Sequence, residues 1–105
     1  MAQVITDSNF DSLVRQSGIA MIDFWATWCG PCVAIGPTIN ALASEYEGRV
    51  LVGKMNVDEN STIPTEFGIR SIPAILFFKD GKVVDKQIGA VPKSVLENKL
   101  KSLLN

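Results

Sequence analysis

The chain has 105 residues, 47% of them hydrophobic and 20% charged, and a formal net charge of -1. That length accommodates one core and not two, and the composition is that of an ordinary globular protein, which excludes a disordered chain. With the charges near balance and no run of one sign, there is no electrostatic footprint for nucleic acid and no polybasic segment for an anionic membrane, so neither is expected as a partner.

A short strand is expected near Val4 and Ile5. The helix after it has Ser8 as its capping signal, with Asp11 three positions on, followed by apolar Phe10, Leu13 and Val14. The first fifteen residues hold Asp7, Asp11 and one basic residue, Arg15, so they lack the basic start and apolar stretch of a secretory signal. The longest apolar run, Ala74 to Phe78, is too short to cross a bilayer, and a cytoplasmic chain is expected. Residues 19–26 (IAMIDFWA) are almost wholly apolar and predict a strand buried on both faces. The motif WCGPC follows at once.

Beyond the motif, Ile35, Ile39, Leu42, Ala43 and Tyr46 recur at helical spacing and predict a helix with one buried face. Pro37 inside it predicts a kink, and Gly48 its end. Residues 50–57 read as a third strand, 62–68 as a short helical segment finishing at Gly68, and 74–78 as a buried strand after Pro73. Asp80 and Gly81 make a two-residue hairpin turn into a strand from Lys82 to Ile88. Val95, Leu96, Leu100, Leu103 and Leu104 line one face of a last helix, with Lys93, Glu97, Lys99 and Lys101 elsewhere around it. The order βαβαβαββα predicts an α/β fold, a mixed sheet with helices on both faces, in one domain spanning residues 1–105. Strand order is left open.

The two cysteines are too close for a disulfide between them to stabilise the chain much, because the loop it closes is so small. Two Cys and no His also fall short of the four ligands of a structural zinc site, so no metal is expected. An inert buried pair is the alternative, but a CxxC where a strand hands over to a helix in an α/β chain is the pattern of a redox motif. Cys29 falls where a strand hands over to a helix, and the positive end of the helix favours its thiolate by about 0.3–2 kcal/mol, enough to lower its pKa by about one unit. A thiol that titrates near ambient pH is close to the optimum attacking group, which makes Cys29 the nucleophile. Cys32, one turn further in, is expected to be more buried and to resolve a mixed disulfide formed at Cys29. Pro31 fits the first helical turn, where its missing N–H costs nothing.

Asp23 to Cys32 (DFWATWCGPC), Ile72 with Pro73, the Lys79 to Gly81 turn and Gly89 with Ala90 together resemble the thioredoxin family, in order and at its spacing over essentially the whole chain. The resemblance implies a central mixed sheet of about five strands flanked by four helices, with the disulfide exposed at the sheet's edge. It implies a protein-disulfide oxidoreductase acting by dithiol–disulfide exchange, and Gly30 and Pro31 between the cysteines favour a reductant. No bound cofactor is implied. The implied partners are oxidised target proteins and a separate thioredoxin reductase, a flavoprotein using NADPH, with the chain itself a monomer.

Asp23 lies within the apolar strand, where an isolated carboxylate is costly and its pKa should rise. By resemblance it sits beneath Cys32 and helps move its proton, the alternative being a strand-end aspartate that reaches water. Lys54 matches the family lysine near that carboxylate, or is a solvated strand residue. Pro73 matches the family's cis proline facing the disulfide, and the backbone of Ile72 would pair with an extended substrate segment. Trp28, Gly30, Pro31, Ile72, Pro73, Gly89 and Ala90 would form an apolar docking surface around the cysteines. Alternatively, Trp28 is core and the glycines are only turns. Trp25, inside the strand, is assigned to the core. Val33 and Ala34 depart from the family pattern, in which a cation and often Met follow CGPC, and the missing cation bears on target preference. Two rivals remain open: an oxidant or isomerase of secreted proteins with a higher potential, and a binding module for which redox chemistry is incidental.

Overall fold

The computed structural model describes residues 1–105. Strands β1 (Gln3–Val4), β2 (Ile19–Trp25), β3 (Leu51–Asn56), β4 (Ala74–Lys79) and β5 (Lys82–Ile88) form one sheet in the order β1-β3-β2-β4-β5. β3 runs parallel to both β1 and β2, whereas β4 is antiparallel to β2 and β5. The mixed sheet is therefore the one that the sequence predicts. β2 lies at its centre, where both faces need apolar side chains, and its five inner residues are all buried.

Helices cover the two faces. α1 (Gly30–Glu45) and α3 (Lys93–Leu104) pack on one, where Ile35, Ile39 and Leu42 meet Met21, Phe77, Leu96 and Leu100. A π-helical turn, Asp11–Arg15, and α2 (Thr62–Glu66) pack on the other. There Phe10, Phe67 and Phe78 stack with ring centroids 5.4–5.6 Å apart.

The first helical segment is capped differently from the expectation. Thr6 Oγ1 accepts from the Asn9 amide at 3.2 Å and Asn9 Oδ1 accepts from the Thr6 amide at 2.7 Å, so the reciprocal pair is Thr6 and Asn9 rather than Ser8 and Asp11. Ser8 instead shares a hydrogen bond with the Thr6 hydroxyl. α1 runs through Pro37 and ends at Glu45, three residues before Gly48, whose φ of +84° belongs to the turn into β3. The hairpin turn is as predicted: Asp80 and Gly81 have φ of +51° and +84°, the left-handed pair that a tight two-residue turn needs.

Asp7 accepts from the amides of Ser61, Thr62 and Ile63 at 2.9–3.1 Å, supplying from across the fold the oxygens that the start of α2 lacks locally. Together these elements fix the C-terminal end of β2 against the start of α1, which is where the cysteines lie.

Candidate active site

Cys29 is the N-cap of α1, with an extended backbone, and its Sγ accepts from the Cys32 amide at 3.2 Å. Such an orphaned helix N–H, added to the helix dipole, stabilises negative charge on sulfur. Cys29 and Cys32 are joined in a disulfide, their Cα atoms 5.2 Å apart. The resemblance implies an exposed disulfide, but only 5% of Cys29 and 2% of Cys32 reach solvent. Ala26, Trp25, Val57 and Ile72 close around the pair. What opening there is belongs more to Cys29 than to Cys32, the order expected of an attacking and a resolving thiol.

Cys29 Sγ lies 3.8 Å from the carbonyl oxygen of Ile72, and the Ile72–Pro73 bond is cis. The Pro73 carbonyl accepts from the Gly89 amide at 2.8 Å, which ties Gly89 and the exposed Ala90 to the same loop. Gly89 has a φ of +90°, a conformation that a side chain would strain. Gly30 and Pro31 are exposed in the first turn of α1, and Trp28 is 70% exposed, so it is not core. Its indole Nε1 donates to Asp58 at 2.8 Å, which stands the ring on the loop after β3. Asp58 went unnoticed in the sequence, where a loop aspartate thirty residues from its partner carries no signal.

Asp23 and Lys54 lie on the inner side of the pair. Asp23 is 3% exposed, its Oδ1 has no hydrogen-bond partner, and burial pushes its pKa up to about 7 against the pull of Lys54. It is therefore not a strand-end aspartate reaching water. Lys54 sits beside it in the β2–β3 register, half buried, with Nζ 5.0 Å from the centre of the Trp25 ring. A cavity of about 160 Å³ is lined by Asp23, Trp25, Cys32, Val33 and Lys54 among others. It is polar on one side and large enough to take water. Trp25, assigned to the core from its strand, is only half buried and borders both the disulfide and this cavity. It is thus a residue of the site, because β2 ends there and one of its faces turns toward the cysteines. Val33 borders the same cavity with 56% of its surface exposed. No three His, Cys, Asp or Glu side chains are grouped as metal ligands would be.

A cysteine pair at a helix N-terminus, a buried carboxyl beneath it and a cis proline facing it are the features that the resemblance requires, and the thioredoxin family model matches residues 1–102. The chain belongs to the thioredoxin family. Thioredoxin 2 of Chlorobaculum tepidum is 50% identical over 96 residues, covering 90% of this chain and 88% of that protein. The thioredoxin of Haemophilus influenzae is 50% identical over 95 residues, 90% of this chain and 89% of its own. The chloroplastic M-type thioredoxin of Pisum sativum is 48% identical over 103 residues, 97% of this chain and 60% of its own. Thioredoxins are protein-disulfide oxidoreductases, and this member carries its redox-active disulfide between Cys29 and Cys32. No helix is long and apolar enough to cross a membrane.

Proposed function

We propose that residues 1–105 act as one domain that reduces target proteins, with Cys29 as nucleophile, Cys32 as resolving thiol and Asp23 as the proton acceptor for Cys32. The observation that carries this assignment is the hydrogen bond from the Cys32 amide to Cys29 Sγ at the start of α1, which favours charge on Cys29 and not on Cys32. The Cys29 thiolate attacks a target disulfide, forming a mixed disulfide and releasing one target sulfur as a thiolate. Cys32 then passes its proton to Asp23 and attacks Cys29 Sγ, and the second target sulfur departs. The target gains two electrons and the Cys29–Cys32 disulfide forms. A carboxyl with a pKa of about 7 both takes up and gives back a proton near neutrality. Lys54, beside it, favours the anion.

Targets would dock on Trp28, Gly30, Pro31, Ile72, Pro73, Gly89 and Ala90, with the Ile72 backbone pairing with an extended segment. The half-buried Ile72 and exposed Trp28 support that surface. The partners are oxidised proteins and a thioredoxin reductase that returns two electrons, and the chain works as a monomer in the cytoplasm.

Trapping tests the assignment. Cys32→Ser mixed with an oxidised target is expected to accumulate a mixed disulfide at Cys29, and Cys29→Ser to accumulate none. Accumulation in the Cys29→Ser variant instead would reverse the two roles. A midpoint potential below about -230 mV is expected for a reductant, and one near about -180 mV would mark an isomerase or oxidant.

A further inference from the structure

Asp23 pairs in register with Lys54, and Trp25 with Asn56, across the parallel strands β2 and β3. Side chains alternate along a strand, so Asp23, Trp25 and Lys54 share the face that α1 covers. Lys54 thus has two neighbours on β2 able to hold its ammonium, the carboxyl directly beside it and the indole one step further along. A carboxylate in contact would attract it more strongly than a ring quadrupole does. Yet Nζ sits 5.0 Å from the Trp25 centroid, none of the four ion pairs of the structure joins Lys54 to Asp23, and Asp23 Oδ1 is buried without a partner.

Trp25 and Lys54 are also the two residues common to the linings of neighbouring cavities. One, of about 160 Å³, reaches Asp23 and Cys32. The other, of about 170 Å³, reaches Asn56, Glu59 and Asn60 beside β1. The groups with charge to offer Lys54 are therefore Asp23 from β2 and Glu59 from the loop after β3. α1 brings only the Cys32 sulfur and the apolar Val33, Gly36 and Ile39 to the first cavity, β1 brings Val4 to the second, and the β4 residue paired with Asp23 is Ile75.

We propose that Trp25 is a positioning residue for disulfide exchange: its ring holds the Lys54 ammonium and so withholds from Asp23 the ion pair that would fix this carboxyl as an anion. Asp23 is thereby left able to accept the Cys32 proton and to return it. The proposal rests on the reading of Asp23 as that proton's acceptor. It makes the Trp25–Lys54 stack, rather than the bare presence of a lysine, the feature that limits how far Lys54 offsets the effect of burial on the carboxyl. An ammonium in contact with a carboxylate lowers its pKa by about one to three units, which is the shift that the ring prevents.

In the oxidised protein neither cysteine titrates, so NMR titration of carboxyl-labelled Asp23 reads the effect directly. Trp25→Leu is expected to lower the Asp23 midpoint by about one pH unit or more. Trp25→Phe, with a weaker ring, is expected to lower it less, and Lys54→Met to raise it. In the Lys54→Met background neither Trp25 change is expected to move the midpoint further. An unchanged or higher midpoint in Trp25→Leu would overturn the proposal. So would an equal fall with Lys54 absent, because the cause would then be water entering the opened site. If the Leu variant does not fold, Trp25→Phe with and without Lys54→Met decides the same question. Resolution of a preformed mixed disulfide by Asp23→Asn tests the underlying reading separately: an undiminished rate there removes Asp23 as acceptor, while the titrations still report what Trp25 does to Lys54.

Discussion

Asp23→Asn should make this protein more stable, by an amount that grows from almost nothing near pH 4 to its full value above about pH 7. In the folded chain the Asp23 carboxyl titrates at about 7, against an ordinary value of 3.8, because burial penalises the anion more than Lys54 favours it. The folded value lies above the unfolded one, so the unfolded chain binds fewer protons between the two. Stability then falls as pH rises through that window, which is opposite in sign to the usual salt-bridged carboxylate. The difference is about three pH units, each worth about 1.4 kcal/mol, so the wild type forfeits roughly 4 kcal/mol once pH exceeds about 7. An asparagine keeps the shape and cannot ionise. Urea unfolding of both oxidised proteins from pH 4 to pH 8 is the assay, and their other carboxylates cancel in the difference. The two should be alike near pH 4, separate as pH rises, and differ by about 4 kcal/mol at pH 8 with unchanged m. A pH-independent gap, or an Asn variant less stable at pH 8, would refute the reasoning that burial governs this group.

The same titration makes Val33→Lys informative, since Val33 borders the Asp23 cavity and its exposed end can carry an ammonium. The added cation should lower the Asp23 midpoint by a fraction of a pH unit, the charge being screened by water, and raise stability at pH 8 but not at pH 4. Gly81→Ala should lower the melting temperature by several degrees, because the residue has a φ of +84° and a Cβ there would lie 2.8 Å from the Arg15 carbonyl oxygen. Gly18→Ala is the control, with nothing within 4 Å of its Cβ and no left-handed backbone. Asp7→Ala should speed hydrogen exchange at Ser61, Thr62 and Ile63, whose amides it accepts, with the Ile63 bond first in holding the Asp7 carboxyl below its ordinary value. Wild type should lose the same protection on acidification, as pH falls through that lowered value.

The alternation of strands and helices was legible because each element here is written in its own period. Residues 19–26 are apolar at every position but Asp23, as a central strand demands, while the α1 face at Ile35, Ile39 and Leu42 follows the helical repeat. The Asp80–Gly81 turn was legible because few residues adopt two successive positive φ angles. Strand order was not, since nothing local says that β3 inserts between β1 and β2. The capping pair was misplaced for a related reason. Thr6 with Asn9 and Ser8 with Asp11 have the same spacing and chemistry, and only the path of the chain after β1 selects one.

At the site, the residues whose roles depend on sequence position were readable and those whose roles depend on neighbours were not. Cys29 and Cys32 owe their difference to the first turn of one helix, and Pro31 between them marks that turn. Asp23 betrays itself as a carboxyl within an apolar strand. Lys54 shows no such conflict, because a lone lysine in a strand reads equally well as a residue that reaches water. Its meaning comes from β2, laid beside β3 in one register only, and a slip of one residue would set Gly53 or Met55 opposite Asp23 in place of Lys54. Trp25 was lost to the core for the same reason: an indole ending a buried strand looks like packing until the lysine over its ring is seen. The proton affinity of Asp23 is therefore a property of its burial together with its neighbours Lys54 and Trp25, and it becomes visible only once the sheet has been assembled.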